Sequence, residues 1–310
     1  MLHTESSTSG STDNKQEQEG VMRHLLSIYD LSIDEIMSLT NSVEDTQPTQ
    51  EKLRGTLAFL FAQVSLRTMS SFAAAGTRIG LAPIQVSSTG GELKDHSDLH
   101  DELVQLSLTS TCVVVRTSKP LDRDALSNCR VPIVNAGDGT NEHPTQTLND
   151  IAVMREIGLE GATVALIGNL RWQRTTHSLA IALHRLGVKT RLVSPTELRL
   201  PDQYIKEGMK SFYTEKRQEV DELVHDADFV YMPPLGFWGP AADIDYSPAY
   251  RFDLDRAQKV LKPTARLMHP FPRFIELDKS LDGSSFDAYR LQTMVGPVVR
   301  ERVLRLLLGW

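Results

Sequence analysis

Short apolar runs that alternate with longer segments of helical period constrain this chain more than any other feature of its sequence. The runs are Leu57 to Phe61, Pro83 to Val86, Cys112 to Val115, Pro132 to Val134, Thr163 to Ile167, Thr190 to Val193, Phe229 to Met232 and Arg266 to Met268. Helix-period segments lie between them, among them Leu99 to Leu108, Thr145 to Ile157, Thr176 to Leu186 and Glu219 to His225. A strand that is apolar at consecutive positions is covered on both faces, and crossover helices supply that cover. The pattern therefore predicts βα units, parallel sheets and an α/β fold. No repeat of about 20 to 50 residues recurs, which excludes a solenoid.

At 310 residues the chain has room for about two domains of roughly 150 residues each. Pro144 opens a long helix that Gly158 closes, and a new strand starts at Thr163, so the domain change is expected there. The expected organisation is a disordered, Ser/Thr-rich extension over 1–20, one domain over 21–147 together with 296–310, and a second over 148–295. Folding is expected to begin near Ser32, where Ser32 and Glu35 suit a capping box and Leu31, Ile33, Ile36 and Leu39 mark an apolar face. Pro297 to Leu308 reads as an apolar, Arg-studded helix that returns to the first domain.

Forty acidic residues against 33 basic ones give a formal charge of −7, so no global positive field exists to hold nucleic acid or an anionic membrane. A phosphate-bearing substrate needs local cations instead. No apolar stretch approaches the ~20 residues of a membrane span, and residues 1–20 lack the apolar core of a secretory signal. Cys112 and Cys129 stand outside any CxxC or Cys/His cluster. These features point to a water-soluble, cytoplasmic protein with no nucleic-acid or membrane partner. Asp95, His96 and His100, in the acidic run Glu92 to Asp101, read as residues facing water rather than as a metal site.

Three segments carry candidate chemistry. Ser65-Leu66-Arg67-Thr68 follows a strand-like run and precedes a helix, where unpaired amides, hydroxyls and an arginine suit an anion as well as an ordinary N-cap. Asn135 to Gln146 (NAGDGTNEHPTQ) sets His143 and Gln146 one helical turn apart at the carboxyl end of a sheet, where open α/β folds bind ligands; a loop histidine capping the next helix is the plain alternative. His269-Pro270-Phe271-Pro272-Arg273 is a turn with two fixed backbone positions, able to hold carbonyls toward a ligand or to serve only as a rigid corner.

Together these segments resemble the aspartate/ornithine carbamoyltransferase family. Ser65-x-Arg67-Thr68-x-x-Ser71-Phe72 is similar to its carbamoyl-phosphate signature, and Asn135 to Gln146 to its NAGDGxxxHPTQ. Ile167 to Leu170 with Arg174 to Leu179 resembles VGDL…GRTxHSL, and His269 to Arg273 resembles HPLPR with Phe271 for leucine. HPxPR marks the aspartate branch, since the ornithine branch carries HCLP there. The resemblance implies two parallel-sheet α/β domains, one for carbamoyl phosphate and one for the acceptor, joined by two helices and assembled as a homotrimer with sites between subunits. It implies that Ser65, Arg67 and Thr68 hold the phosphate, that Thr68, Arg116, His143 and Gln146 bind and polarise the carbamoyl group, and that Arg174 binds the acceptor. No metal or organic cofactor is implied.

The departures are informative. The family's loop lysine, which reaches a neighbouring subunit's phosphate, falls at Asp95, with Lys94 one residue earlier as its substitute. The acceptor-side arginine and glutamine that follow the strand ending Tyr231-Met232 fall at Pro234 and Gly236, ahead of Phe237 and Trp238. Gln63 replaces an acidic residue and Leu66 a threonine. Losing a cation from a carboxylate site costs several kcal/mol (roughly 1.5–3 per charged hydrogen bond). With Pro234, Gly236 and Phe271 lining the acceptor side, the leading expectation is a carbamoyltransferase whose amine acceptor is not aspartate. A conventional aspartate enzyme and a pseudoenzyme that keeps the fold as a partner protein are the alternatives. A nicotinamide-linked oxidoreductase, suggested only by Ile167-Gly168-Asn169, lacks G-x-G-x-x-G.

Overall fold

The computed structural model describes residues 22–42, 52–86, 99–236 and 245–310. The segment 1–20, Lys94, Asp95, His96, Phe237 and Trp238 lie outside the described residues.

The chain builds two parallel sheets. A short helix α1 (Ile33–Leu39) precedes β1 (Gly55–Phe61), α2 (Leu66–Arg78), β2 (Leu81–Val86), α3 (Leu99–Thr109), β3 (Cys112–Thr117) and β4 (Ile133–Asp138). Strand order in this first sheet is β2-β1-β3-β4, every pairing parallel. Helix α4 (Pro144–Ile157) leads into β5 (Thr163–Ile167), α5 (Arg174–Arg185), β6 (Lys189–Ser194), β7 (Lys210–Tyr213), α6 (Arg217–Val224) and β8 (Phe229–Tyr231). Then come α7 (Ser247–Tyr250), α8 (Leu254–Val260), β9 (Arg266–Met268) and α9 (Tyr289–Leu307). The second sheet runs β7-β6-β5-β8-β9, again all parallel. The two α/β halves match the fold class read from the alternation of apolar runs.

Burial explains the sequence pattern. Cys112 to Val115 and Val164 to Ile167 are buried at every position because helices cover both faces of these central strands. Pro83 is tolerated in β2 because β2 is an edge, where a missing N–H breaks no inner ladder. One continuous apolar core runs from Leu25 through Phe59, Ile151 and Leu166 to Leu304, crossing both halves. Helices α4 and α9 join the halves and pack against each other, and α9 also packs on α2.

Three local readings change. Order begins before Ser32: Leu25 pairs with Val134 and is fully buried with Ile28. The capping box of α1 forms as expected, Ser32 Oγ accepting from the Glu35 N–H and Glu35 accepting from the Ser32 N–H. Edge strand β7, with its half-exposed Lys-Ser-Phe-Tyr pattern, is an element that the periodicity missed. Helix α9 starts at Tyr289, so Pro297 sits inside it rather than at its start. Pro297 has no N–H to give the Thr293 carbonyl, and both residues face a cavity.

Candidate active site

In each sheet the first strand has its successors on opposite sides, β2 and β3 beside β1, and β6 and β8 beside β5. Such switch points open a crevice at the carboxyl ends of the strands. The crevices of the two sheets meet in one cavity of about 820 Å³. Its walls come from the segments that follow β1, β4, β5, β8 and β9, from Arg116 near the end of β3, and from α9.

Helix α2 begins at Leu66 with Ser65 as its N-cap, so its free amides open toward the cavity. Ser65 Oγ donates to Thr68 Oγ1 at 3.0 Å, and Ser71 Oγ donates back to the Arg67 carbonyl at 2.7 Å. Arg67 stands beside Phe271, 5.7 Å from its ring centroid. Arg116 donates to the Ala136 carbonyl at 3.0 Å. Burial, with Arg174 and Arg67 nearby, disfavours the charge on Arg116, and its Nε has no hydrogen-bond partner among the described residues. An anion in the cavity would relieve both conditions.

His143 is the N-cap residue of α4, yet its side chain makes no cap bond, so the ordinary capping role does not account for it. Its ring is buried, and desolvation together with Arg116, Arg174 and Arg300 holds its pKa well below the usual histidine value, so the imidazole is neutral at pH 7. The preceding Glu142 is a buried carboxylate that accepts from Ser27 Oγ (2.5 Å), the Ile28 N–H (3.1 Å) and Ser178 Oγ (2.9 Å). Ser178 in turn accepts from the His143 N–H at 2.9 Å. Glu142 thus ties the histidine loop to the N-terminal segment and to α5. His177 closes the same corner, its ring nitrogens 2.9 Å and 3.0 Å from the carbonyls of Asn141 and Leu170.

Arg174 opens α5, donates to the Gly139 carbonyl at 2.9 Å and lies 3.5 Å from Gln63 Oε1. Burial pushes its pKa down to about 10. Both arginines fit only because residue 137 has no side chain: a Cβ on Gly137 would lie 2.6 Å from Arg174 Nε and 3.2 Å from Arg116 Nη1. Gly137 also holds φ at +111°, a conformation that L side chains rarely adopt.

The turn after β9 is fixed from within. His269 Nδ1 accepts the Phe271 N–H at 2.9 Å, which leaves its Nε2–H to donate to Glu276 Oε1 at 2.9 Å. Glu276 also accepts from the Phe274 N–H. Phe271 faces the cavity with a φ of +53°.

The structure therefore brings Ser65, Arg67, Thr68, Arg116, His143, Gln146, Arg174, Pro234 and Phe271 together on one cavity. Gly236 is exposed and does not line it. Sequence reading missed Asn149, Gln292 and Arg300, which also line it, and Asp150 behind them. Arg300 is buried, with its guanidinium 5.0 Å from the Phe72 ring centroid. The only signal for it was the arginines punctuating an apolar helix. Among the described residues, the wall holds four arginines and no acidic side chain, in a chain of formal charge −7. Among those residues no cluster of His, Cys, Asp or Glu could hold a metal ion, and no helix is long and apolar enough to cross a membrane.

Comparison with known proteins agrees with this geometry. Residues 23–156 match the sequence model of the aspartate/ornithine carbamoyltransferase carbamoyl-P binding domain, and residues 160–304 match that of the Asp/Orn binding domain. The aspartate carbamoyltransferase catalytic subunits of Methanothrix thermoacetophila and Archaeoglobus fulgidus are each 33% identical over 300 residues, covering 92% of this chain and 98% of the relative. Among solved structures, the aspartate transcarbamoylase of Trypanosoma cruzi in complex with phosphate superposes with a TM-score of 0.79 at 28% identity, covering 91% of this chain and 95% of that one. The same enzyme with carbamoyl phosphate and aspartate gives 0.79 at 26%, covering 91% and 94%. The chain is a carbamoyltransferase and belongs to the aspartate/ornithine carbamoyltransferase family.

Proposed function

We propose that the chain transfers the carbamoyl group of carbamoyl phosphate to the amine of an amino acid, with L-aspartate as the acceptor favoured by the names of its relatives. The observation that carries this reading is a wall that, among the described residues, holds four arginines and no acidic side chain, set around a buried histidine whose charged form is disfavoured. In this reading Ser65, Arg67 and Thr68 hold the phosphate together with the amides that open α2. The attacking amine turns the carbamoyl carbon tetrahedral and its oxygen into an oxyanion. Donors from Thr68, Arg116 and His143 stabilise that charge, which develops only as the reaction proceeds. The bond to phosphate then breaks as the surplus proton of the attacking nitrogen passes to the leaving oxygen, and the arginines balance the departing hydrogen phosphate dianion. Neutral His143 suits this role, since it offers one N–H without adding a fifth positive charge to the four arginines.

A second reading, an acceptor with a single carboxylate, rests on the wall after β8. Pro234 stands there, buried, and its carbonyl accepts from Gln173 at 3.0 Å, while the segment 235–244 contains no lysine or arginine. Arg174 faces the neutral Gln63 and so keeps its charge for one carboxylate. Phosphate release from carbamoyl phosphate with L-aspartate and a panel of monocarboxylate amino acids separates the two. Ordinary efficiency with aspartate supports the first reading. Turnover only with a monocarboxylate supports the second, and amine-independent behaviour across the panel contradicts both. The reading includes a homotrimer in which Lys94 serves a neighbouring site. Sedimentation, together with loss of activity in Lys94→Ala, tests that part.

A further inference from the structure

Behind Gln146 lies a carboxyl group that does not itself line the cavity yet decides how the glutamine is turned. Gln146 Nε2 donates to Asp150 Oδ1 at 2.8 Å, one helical turn along α4. Gln292 Nε2, from the first turn of α9, donates to the same oxygen at 2.6 Å. Gln292 Oε1 then accepts the backbone N–H of His269 at 2.9 Å. His269 is the residue whose ring fixes Phe271. The directions follow from a backbone N–H that only donates and from an Asp150 Oδ1 that accepts both in the ionised carboxyl and when the proton sits on Oδ2, which has no hydrogen-bond partner among the described residues. Both amides must give their nitrogen to Asp150, so Gln146 keeps its oxygen for the cavity.

We propose that Asp150 is a positioning residue, which presents the Gln146 carbonyl to the N–H groups of the carbamoyl amide or incoming amine and links that orientation to the Phe271 turn. The inference rests on the carbamoyl-phosphate reading of the cavity. Without Asp150 the Gln146 amide is free to flip, and in half of its orientations an NH2 would face an NH2. Asparagine at 150 retains the shared acceptor oxygen, so the charge is dispensable and the acceptor is not. The path also gives α9 a reason to enter the site, since Gln292 is its only side chain on this path.

The test is a double-mutant cycle of Asp150→Ala and Gln146→Ala with two readouts: the Kd of phosphonoacetamide by calorimetry, and kcat for phosphate release. Asp150→Ala is expected to weaken phosphonoacetamide about tenfold and to lower kcat about 10²-fold. Asp150→Asn stays within about threefold of the native chain. In the Gln146→Ala background, Asp150→Ala adds less than about twofold, because its effect passes through the glutamine. Independent, multiplying effects overturn the proposal, as does an Asp150→Asn variant that folds but is as damaged as Asp150→Ala. Should Asp150→Ala not fold, Asp150→Ser, too short to hold both amides, takes its place in the cycle. A native chain that binds phosphonoacetamide without turning over carbamoyl phosphate removes the transfer reading and leaves the binding cycle to decide this one. A native chain that does not bind phosphonoacetamide overturns both.

Discussion

Replacing Gly137 by alanine would set one methyl group against two guanidiniums of the cavity wall, Arg116 on the carbamoyl side and Arg174 on the acceptor side. The new Cβ would lie 2.6 Å from Arg174 Nε, 2.7 Å from its Cζ and 3.2 Å from Arg116 Nη1. Carbon and nitrogen need about 3.5 Å, so Arg174 must retreat by roughly 1 Å and Arg116 by a few tenths. A misplacement of about 1 Å at a positioned group costs on the order of 10²-fold in rate, about 2.7 kcal/mol. A second cost is conformational, because an alanine at φ +111° is strained by roughly 1–3 kcal/mol. Gly158 separates the two effects. It holds φ at +132° but has nothing within 4 Å of its Cβ position, so Gly158→Ala carries the backbone strain without the collision. Urea unfolding and steady-state phosphate release on both variants form the assay. Both are expected to lose stability, and only Gly137→Ala to lose about two orders of magnitude in kcat/KM. Native-like activity in Gly137→Ala, or an equal loss in Gly158→Ala, would refute the claim that Gly137 exists to admit the arginines.

Three further expectations follow from the same geometry. Arg174→Gln should raise the acceptor KM by about 10²-fold, the scale of one charge-assisted carboxylate contact, while phosphonoacetamide binding shifts less than about threefold; equal losses on both would place Arg174 with the phosphate instead. Burial pushes the Asp150 carboxyl up to about 7 from 3.8, so the folded chain keeps a proton that the unfolded chain has released. Ionising Asp150 therefore costs the folded state, and its stability falls as pH rises from about 4 to 7. Asp150→Asn has nothing to ionise, so its stability relative to the native chain should climb through that window by up to about 4 kcal/mol, and a pH-independent difference in urea unfolding would contradict this. Pro234→Arg should lower the KM for L-aspartate about tenfold if the native wall lacks a second carboxylate anchor, and an unchanged KM would remove that reading.

Much of the fold was legible because parallel strands covered on both faces are apolar at consecutive positions, as in Cys112 to Val115 and Val164 to Ile167. Strand β7 was not, because an edge strand with a half-exposed pattern carries no such run. The first half of α9 was hidden by Gly296-Pro297, which reads as a helix start but lies inside the helix, where a Cβ on residue 296 would lie 3.1 Å from Arg300 Nη1. The cavity residues of local motifs were legible in the same way: Ser65, Arg67 and Thr68 occupy a helix start, and His143 and Gln146 the next, each signalled by its neighbours. Arg300, Gln292 and Asp150 had no such signal. They reach the site from α9 and from the buried side of α4, and only the tertiary packing of those two helices shows that they belong to it.

The central claim is that the arginine-walled cavity moves a carbamoyl group rather than simply holding an anion. Incubating the protein with carbon-13 carbamoyl phosphate and an amino acid, while following phosphate and the labelled carbon together, tests it most directly. The account predicts amine-dependent phosphate release matched one for one by a labelled carbamoyl-amino acid, and loss of both in His143→Ala. Phosphate release that ignores the amine, or label that never reaches an amine nitrogen, would contradict it.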